Sequence, residues 1–287
     1  MTFAFIAAEK AHFPVRRLCR VLDVTPSGYY AWRTRPLSAR AQQDRALVRR
    51  LQVLHAEHRR AYGRPRLQRA LRQEGIRVGD RRLRRLMRAG HLTAHGRRRY
   101  RVTTASDHPH AVAPNVLARQ FQVARPNRVW AGDITFLWTA EGWVYLAVLL
   151  DLASRRVVGW ALHATLRTAL PLAALQQALA RRAVARGLVH HSDRGVQYAS
   201  DQYQAVLHRH RIQASMSRKG NCWDNSVVES FFSSLKAELH PATWRTRDDA
   251  ARAVADYIER FYNSQRLHSA LGYCSPVDFE ARFTVAV

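Results

Sequence analysis

The spacing of apolar residues between 129 and 262 predicts a sheet flanked by helices. Apolar, β-branched and aromatic residues fill three neighbouring stretches separated by short turns, which favours an antiparallel meander. Other stretches have apolar positions three and four residues apart, which is typical of helices. The predicted elements are strands at 129–138, 143–152 and 156–163, a helix at 167–186, a short strand before Asp193, a helix at 200–210, a strand at 212–216, a helix after Asn225 and a last helix at 246–262. This order predicts an α/β domain with a mixed five-stranded sheet, which the last helix and the tail through Phe279 cover.

The N-terminal region has helical spacing throughout, which predicts an all-α region before the sheet. In residues 13–34, Thr25 is expected to cap a second helix, so this segment resembles a helix-turn-helix. An ordinary helical hairpin is the alternative, because apolar spacing alone cannot show insertion into a DNA groove. Further helices are expected at 42–58, 66–74 and 80–89, the last capped by Asp80. Residues 91–125, which contain an arginine run and two prolines, are predicted to be irregular.

The charge of the chain is strongly positive and unevenly distributed. The net charge is +26, and residues 1–101 contain 26 Lys and Arg against 6 Asp and Glu. These residues therefore contribute +20, which leaves only +6 for the remaining 186 residues. Such asymmetry is expected when one region binds phosphates and another carries out chemistry.

Nothing in the sequence predicts a membrane segment or a disulfide framework. The longest apolar run, 144–153, is about half a bilayer span and contains Asp151. No signal peptide is recognisable, and the three cysteines are isolated, which favours a reducing cytoplasm. Because no paired-cysteine spacing exists, no structural zinc is expected, and His55 and His58 are interpreted as a helix surface.

Three acidic residues stand in contexts that predict a common site. Asp133 interrupts an otherwise apolar strand, where a charge is costly unless it is paired or binds metal. Asp193 follows a short strand at a turn, where open α/β sheets place their ligands. Glu229 lies on the helix that follows 220–225, for which Asp224 or Asn225 is the expected cap. Converging carboxylates of this kind can hold two Mg²⁺ ions.

Three alternatives to this interpretation can be named. An isolated acidic residue in a strand or helix is usually structural or solvated, so the prediction depends on the agreement of three contexts. Asp151, inside an apolar strand, is a rival carboxylate. A histone-like packing protein would explain the charge, but it would not need three converging acids.

Four sequence blocks carry a resemblance to a known family. They are Trp130–Thr135, His190–Tyr198, Ser217–Phe232 and Phe261–Tyr273. In this order they resemble the OrfB transposases of bacterial insertion sequences of the IS-three type, over almost the whole chain. Ala131-Gly132 departs from the family, which more often has a bulkier residue and Thr there, but no candidate ligand is changed.

The resemblance implies a ribonuclease H-like, retroviral-integrase fold with a DDE site formed by Asp133, Asp193 and Glu229. It implies a DNA transposase that cleaves insertion-sequence ends and joins the 3′-hydroxyl to target DNA with two Mg²⁺ ions, for which Mn²⁺ can substitute. Double-stranded DNA is the implied partner, bound by a homo-oligomer in the bacterial cytoplasm. An upstream OrfA product, free or as a frameshift fusion, is a further implied partner.

The segment boundaries expected on this basis are 1–40 for the helix-turn-helix-like segment, 41–100 for a basic helical DNA-binding domain, 101–125 for a linker, 126–240 for the catalytic core and 241–287 for its helical extension. Lys236 is a candidate DNA contact, because only three of the 47 basic residues are Lys and two of them flank Glu229. A solvated helix residue is the alternative. Further candidate DNA contacts are Lys219, Arg218, Arg266, His268, Arg81, Arg82 and Arg85.

Two other functions fit parts of the sequence. A ribonuclease H-like nuclease would share the carboxylates but would cut without joining. A transcriptional repressor would use only the helix-turn-helix segments. Mg²⁺-dependent cleavage separates the repressor from both enzymes, and joined products separate the transposase from the nuclease.

Overall fold

A mixed five-stranded sheet forms the centre of the chain. The computed structural model describes residues 2–94, 109–184, 186–219, 221–239 and 244–284, without the side chains of Cys222 and Thr284. The strands are β1 Val129–Thr139, β2 Gly142–Asp151, β3 Val157–His163, β4 Val189–Ser192 and β5 Gln213–Met216. Their order in the sheet is β3-β2-β1-β4-β5. The first three strands are antiparallel, whereas β4 pairs in parallel with both β1 and β5, which confirms the predicted meander and mixed sheet.

In the described residues before the sheet, 2–94 and 109–128, the chain forms six helices. They are α1 Thr2–Glu9, α2 Val15–Val21, α3 Pro26–Thr34, α4 Ala39–Glu57, α5 Arg64–Gln73 and α6 Asp80–Ala89. Thr25 caps α3 as predicted, since its hydroxyl accepts a hydrogen bond from Gly28 N at 3.1 Å. The prediction for α6 was wrong in detail: Gly79 occupies the cap position, and the Asp80 carboxylate forms ion pairs with Arg64 and Arg84. Sequence spacing did not predict α1.

The helices α1–α3 and α4–α6 have different cores. Ile6, Cys19 and Tyr29 form a small separate cluster. In contrast, α4–α6 bury leucines that belong to the same apolar cluster as one face of the sheet. His55 on α4 is only 5% exposed, so its interpretation as a helix surface residue was wrong.

Helices cover both faces of the sheet. The remaining helices are α7 Ala169–Arg181, α8 Val196–Ala199, α9 Asp201–Arg209, α10 Ser226–Glu238, α11 Arg247–Ala255 and α12 Pro276–Thr284. Trp130 and Leu149 pack with α7 to α9 on one face, whereas Ala131 and Val148 pack with α10 and α11 on the other. The closest approach is at Gly159, where a Cβ atom would lie 2.2 Å from Ala174 O.

The predicted last helix, 246–262, divides into two parts. Thr246 and Asp249 form a reciprocal capping box at the start of α11. After α11, residues Asp256–Tyr262 continue as a π-helix, and a short 3₁₀ turn follows at Ser269–Leu271. Tyr257, Ile258 and Phe261 are buried against the sheet, so this segment covers the core as expected.

The segment predicted as a linker is partly packed on the core. Residues 95–108 lie outside the described ranges. From 109 to 128 the chain forms neither helix nor strand, as expected. However, Leu117 is buried, and the amides of Val116 and Leu117 donate to the Ser215 hydroxyl at 3.0 and 3.2 Å. This part is therefore an ordered strap on β5, and the domain boundaries as a set stay a prediction.

The α4–α5 connection is attached to the C-terminal segment. Tyr62 OH donates to Gln265 O at 3.1 Å and accepts from Leu267 N at 2.8 Å. His58 stacks on the Tyr62 ring at a centroid distance of 4.0 Å. In the described ranges, the helices are all too short or too polar to cross a membrane.

Candidate active site

Asp133 lies near the middle of β1 and faces the layer that contains α10. It shares the side of the strand with Ala131 and Leu137, which pack against that layer. One carboxylate oxygen accepts a hydrogen bond from Ile134 N at 2.8 Å. The pKa of Asp133 is raised well above its usual value, first by burial and then by the charges of Asp193 and Glu229.

Asp193 is the first residue after β4, the strand next to β1. Ala131 pairs in parallel with His191, so Asp133 and Asp193 each lie two residues beyond a paired position. Neighbouring strands are about 4.8 Å apart, and residues of equal parity share a face. Gly195 N donates to the Asp193 carboxylate at 2.9 Å, which fixes the turn after the strand. The predicted meeting of Asp133 and Asp193 at one end of the sheet therefore has a basis in the strand register.

Glu229 lies in the first turn of α10, which packs against β1 through Val228 and Phe232. Burial raises the pKa of its carboxyl. Asn225 Nδ2 donates to Gly132 O at 3.3 Å and so connects the start of the helix to the residue before Asp133.

Asn225, one of the two predicted residues, takes the cap position of α10. Among the described residues, its side chain makes no capping hydrogen bond. The side chain of Asp224 is fully buried and accepts hydrogen bonds from Arg218, Arg119 and Asn115 at 2.8–2.9 Å. These hydrogen bonds, Arg218 first, hold the pKa of Asp224 far below its usual value. Asp224 thus fixes the loop before Glu229 to the strap on β5.

Lys236 lies on the same edge of α10 as Glu229, as expected for residues seven positions, or nearly two helical turns, apart. Its Nζ is 4.9 Å from the centre of the Phe136 ring on β1. Burial lowers the pKa of Lys236 to about 8, and the charge of Asp133 opposes this shift. Lys236 is therefore not a freely solvated helix residue, which was the alternative interpretation.

The donor chemistry at this site suits a hard divalent cation. Asp133, Asp193 and Glu229 offer carboxylate oxygens, the ligands that Mg²⁺ prefers. The negative charges of Asp193 and Glu229 both act on the carboxyl of Asp133 and raise its pKa. Among the described residues, however, His, Cys, Asp and Glu side chains form no group of three that is close enough to hold one ion. The arrangement therefore fits a metal in charge and ligand type, while its carboxylates are not at ligand spacing.

The rival carboxylate Asp151 has a structural environment. Its two oxygens accept hydrogen bonds from the backbone amides of Asn127 at 2.6 Å, Ala153 at 2.9 Å and Ser154 at 3.2 Å. The side chain is fully buried and shapes the turn between β2 and β3. Its oxygens are therefore occupied by the protein itself.

The candidate DNA contacts have different exposures. Lys219 and Arg81 are exposed, and Arg218 is exposed while bonded to Asp224. Arg82 and Arg85 both form ion pairs with Asp44 on α4, and the Arg85 side chain remains 58% exposed. Arg266 and His268 are only 3% and 9% exposed. Arg266 is held by Glu238 at 2.6–3.1 Å, and the assignment of both residues as DNA contacts stays a prediction.

Sequence reasoning missed two residues near the site, Arg119, which holds Asp224, and the buried Tyr198. Arg119 lies in the predicted linker, where no local pattern indicates its partner 105 positions away. Tyr198 is buried and its pKa is raised well above the usual value by burial and by several charges, including those of Asp133 and Asp193. Its place at the end of the block His190–Tyr198 was recognised only as part of the resemblance. The available signal in the sequence was an aromatic residue, Tyr198, shortly after the turn that contains Asp193.

Family models match most of the described core. An integrase core domain model matches residues 123–222, a second integrase core domain model matches 210–276, and an HTH-like domain model matches 42–100. Transposase InsF for insertion sequence IS3A of Escherichia coli (strain K12) is 41% identical over 284 residues, which cover 98% of each chain. An uncharacterized 31 kDa protein of insertion element IS600 from Shigella sonnei is also 41% identical, over 93% of this chain and 98% of its own.

Solved structures give more distant matches. The integrase chain in a simian T-cell lymphotropic virus intasome with a PP2A regulatory subunit has a TM-score of 0.48 and 16% identity, and the match covers 74% of this chain and 70% of that chain. The HTLV-2 integrase catalytic core domain in complex with magnesium has a TM-score of 0.44 at the same identity, covering 55% of this chain and 99% of its own.

The integrase core and its site define a DDE polynucleotidyl transferase. The near full-length identity to Transposase InsF is far above what a shared fold alone produces. The chain belongs to the IS3 family of insertion-sequence transposases.

Proposed function

We propose that Asp133, Asp193 and Glu229 are the catalytic residues of this transposase and that together they hold two Mg²⁺ ions. The observation that carries the proposal is the register of β1 and β4, in which Asp133 and Asp193 each lie two residues beyond the pair Ala131 and His191. The pKa of Asp133 is raised, first by burial and then by the charges of Asp193 and Glu229. Three carboxylates that repel one another without metal form a site with high affinity for cations. The carboxylate oxygens of Asp133, Asp193 and Glu229 would hold the ions, and Mn²⁺ would substitute for Mg²⁺.

Phosphodiester cleavage requires activation of the attacking oxygen and stabilisation of the leaving oxygen. When bound, two divalent ions assist the attacking oxygen and the leaving oxygen of an in-line displacement. The chain's own carboxylates would orient this chemistry from within β1, after β4 and at the start of α10. Lys236, beside Phe136 and within the field of Asp133, supplies a positive charge for the phosphate or for the terminal bases. No side chain needs to form a covalent intermediate.

The substrate we propose is double-stranded DNA at the ends of an insertion sequence, together with target DNA. Cleavage frees a 3′-hydroxyl at the element end, and that hydroxyl then attacks a second phosphodiester. The excess charge of residues 1–101 supports DNA binding by the N-terminal region. Lys219 and Arg81 are exposed and suited to phosphate contacts, with Arg218, Arg82 and Arg85 as partly engaged neighbours.

The assembly we propose is a homo-oligomer on DNA, because joining two ends requires two active sites near each other. An upstream OrfA product, free or as a frameshift fusion, is a further partner. The reaction would take place in the bacterial cytoplasm, on nucleoid DNA.

A product assay with labelled element ends tests the proposed function. Wild-type protein with Mg²⁺ is expected to give both cleaved and joined strands, and Asp133→Asn is expected to lose both by at least about a thousandfold. Asp201→Asn removes an exposed carboxylate of the same domain and serves as the matched control. Cleavage without joined strands would identify a nuclease. DNA binding with neither product from the wild type would leave only a repressor.

A further inference from the structure

A cavity lies between the HTH-like domain and the catalytic core, next to α10. Its volume is about 260 Å³, which is room for several water molecules. Arg66 of α5, Arg155 of the β2–β3 turn, and Arg266 and His268 of the C-terminal segment line one side. Hydroxyl-bearing residues of α10, including Ser226 and Ser230, line the other. Four separate parts of the chain thus meet around one space.

The lining of this cavity is basic and rich in donors. Three arginines contribute to it, and none of the described lining residues is acidic. Glu238, which holds Arg266 at 2.6 Å, lies outside the cavity lining. Arg66 is fixed by a hydrogen bond from its Nε to Leu267 O at 2.8 Å. The lining is therefore set for a negatively charged group rather than for a cation.

Two buried nitrogen atoms in this lining lack a protein partner. Within the described part of the chain, Arg155 Nη1 and His268 Nε2 are buried and have no hydrogen-bond partner. His268 is 9% exposed, and burial first, then the charges of the three arginines, keep its pKa well below the usual value. A buried polar atom without a partner is rare in folded proteins and indicates a missing ligand or water. Both atoms belong to residues that line the same cavity.

The position of Arg155 reinforces this interpretation. Its backbone has a φ of +59°, a left-handed conformation that is uncommon for a residue other than glycine. Its Nη2 donates to Phe121 O at 3.2 Å, which anchors the guanidinium, whereas Nη1 has no partner in the described part of the chain. Residues held in such conformations concentrate at ligand sites.

The cavity lies beside the catalytic carboxylates along one helix. Ser226 and Ser230 are four residues apart, so they lie along one side of α10. Glu229 is adjacent to Ser230 in sequence and lies about 100° around the helix from it. A DNA strand that crosses α10 can therefore reach both the carboxylates and the cavity.

We propose that this cavity binds a backbone phosphate of the DNA substrate, at a site separate from the catalytic metal site. Arg155 and Arg66 supply the charge, His268 and the serine hydroxyls supply directional hydrogen bonds, and the Glu238 ion pair positions Arg266. Because the cavity joins α5 to the core, the bound phosphate also holds the HTH-like domain against α10. The statement that the bound phosphate belongs to DNA rests on the proposed function. The statement that the cavity binds a phosphate does not.

Ser230→Asp tests the proposal by placing a carboxylate in the cavity. Ser230 is exposed on its helix, so the substitution leaves the core intact. Ser264→Asp is the matched control, because it adds the same charge at an exposed position of the C-terminal segment that does not line the cavity. The measurement is binding of the full-length protein to a duplex oligonucleotide of the element end. Ser230→Asp is expected to weaken this binding about fivefold or more. The salt slope, which is the slope of log affinity against log salt concentration, is expected to fall by the amount that corresponds to about one phosphate contact. Ser264→Asp is expected to change the affinity less than about twofold.

Inorganic phosphate provides a second measurement that does not depend on DNA. Titration into the full-length protein is expected to shift the imidazole ¹⁵N resonance of His268 saturably in the wild type and in Ser264→Asp, but not in Ser230→Asp. An unshifted wild-type resonance, or an equal shift in Ser230→Asp, would overturn the site. A phosphate response with equal salt slopes for the two variants would overturn the DNA contact.

Failure of the proposed function gives a different pattern. Asp133 does not line the cavity, so Asp133→Asn is expected to keep the phosphate response and the salt slope while losing cleavage. A wild-type protein that neither cleaves nor joins DNA but still binds phosphate would contradict the function and leave the cavity proposal standing. An active wild-type enzyme whose His268 resonance does not respond to phosphate would contradict the cavity proposal and leave the proposed function standing.

Discussion

Asp133 and Asp193 lie side by side at the ends of a paired segment, each two residues beyond the parallel pair Ala131 and His191. Equal distance from a paired position gives both side chains the same parity, so both face the layer that contains α10. The register of two strands that are 60 positions apart in sequence thus determines where two catalytic acids meet. The position of Asp133 depends on the packing of β1, and that of Asp193 also on the turn after β4, where Gly195 N donates to its carboxylate.

Without metal, Asp133 is expected to destabilise the folded protein at neutral pH. Its pKa is raised in the folded state, so ionisation above about pH 4 disfavours folding. Asp133→Asn should therefore increase the free energy of unfolding by on the order of 1 kcal/mol at pH 7. It should also abolish the increase in melting temperature that Mg²⁺ gives the wild type. Thermal unfolding with and without Mg²⁺ measures both effects, and a metal response that survives in Asp133→Asn would contradict the assignment.

Lys236 is expected to titrate near pH 8 in metal-free protein. Because burial lowers its pKa, the side chain loses its positive charge as the pH rises through this value. The chain has only three lysines, so selective ¹³C-lysine labelling gives three resolvable signals. Lys236→Ala identifies the signal by its loss. A Lys236 signal that titrates at the usual value of about 10.4 would show that the side chain is solvated.

Asp224 is expected to stabilise the loop before Glu229. Replacement by Ala leaves the hydrogen-bond donors around it without an acceptor and should cost about 2–4 kcal/mol. Its pKa is lowered in the folded state, so this stabilisation is present above about pH 4 and is lost as the pH falls further. Denaturant unfolding of wild type and Asp224→Ala at pH 7 and pH 3 measures the difference. A gap between the two proteins that is as large at pH 3 as at pH 7 would contradict the ionic role.

Gly159 is expected to tolerate no side chain. A Cβ atom at this position would lie 2.2 Å from Ala174 O, so α7 must shift away from β3. Gly159→Ala should cost about 3 kcal/mol, as for overpacking of a core. The control is Gly79→Ala, where no described atom lies within 4 Å of the position that the added methyl group would take, and the cost should stay below about 1 kcal/mol. Chemical denaturation compares them, and equal losses would show that the contact at Gly159 is unimportant.

The sequence predicted the strands well because alternation and β-branched residues mark them directly. The meander β1–β3 and the order of the later helices follow from such local patterns. The candidate carboxylates were also recognisable, because an acid inside an apolar strand is unusual. Local patterns do not contain the register between β1 and β4, which required the packed structure.

Local patterns also do not contain the long-range partners of charged residues. Arg82 and Arg85 pair with Asp44, and Arg266 pairs with Glu238, across 28 to 41 positions. A basic residue in a sequence has the same appearance whether it faces DNA or a buried carboxylate. Asp224 was similarly predicted as a helix cap because its partner Arg119 lies in a segment without regular structure.

The most direct test of the catalytic site is a change of metal specificity at Asp133. Asp133→Cys replaces a carboxylate with a thiolate, which prefers softer ions than Mg²⁺. The quantity measured is the rate at which Asp133→Cys cleaves a labelled element end, divided by the wild-type rate in the same metal. This ratio is expected to be close to zero with Mg²⁺ and at least about tenfold higher with Cd²⁺. Asp201→Cys, at an exposed position, should show no such dependence. Equal activity of Asp133→Cys relative to the wild type in both metals would show that Asp133 does not bind the catalytic ion.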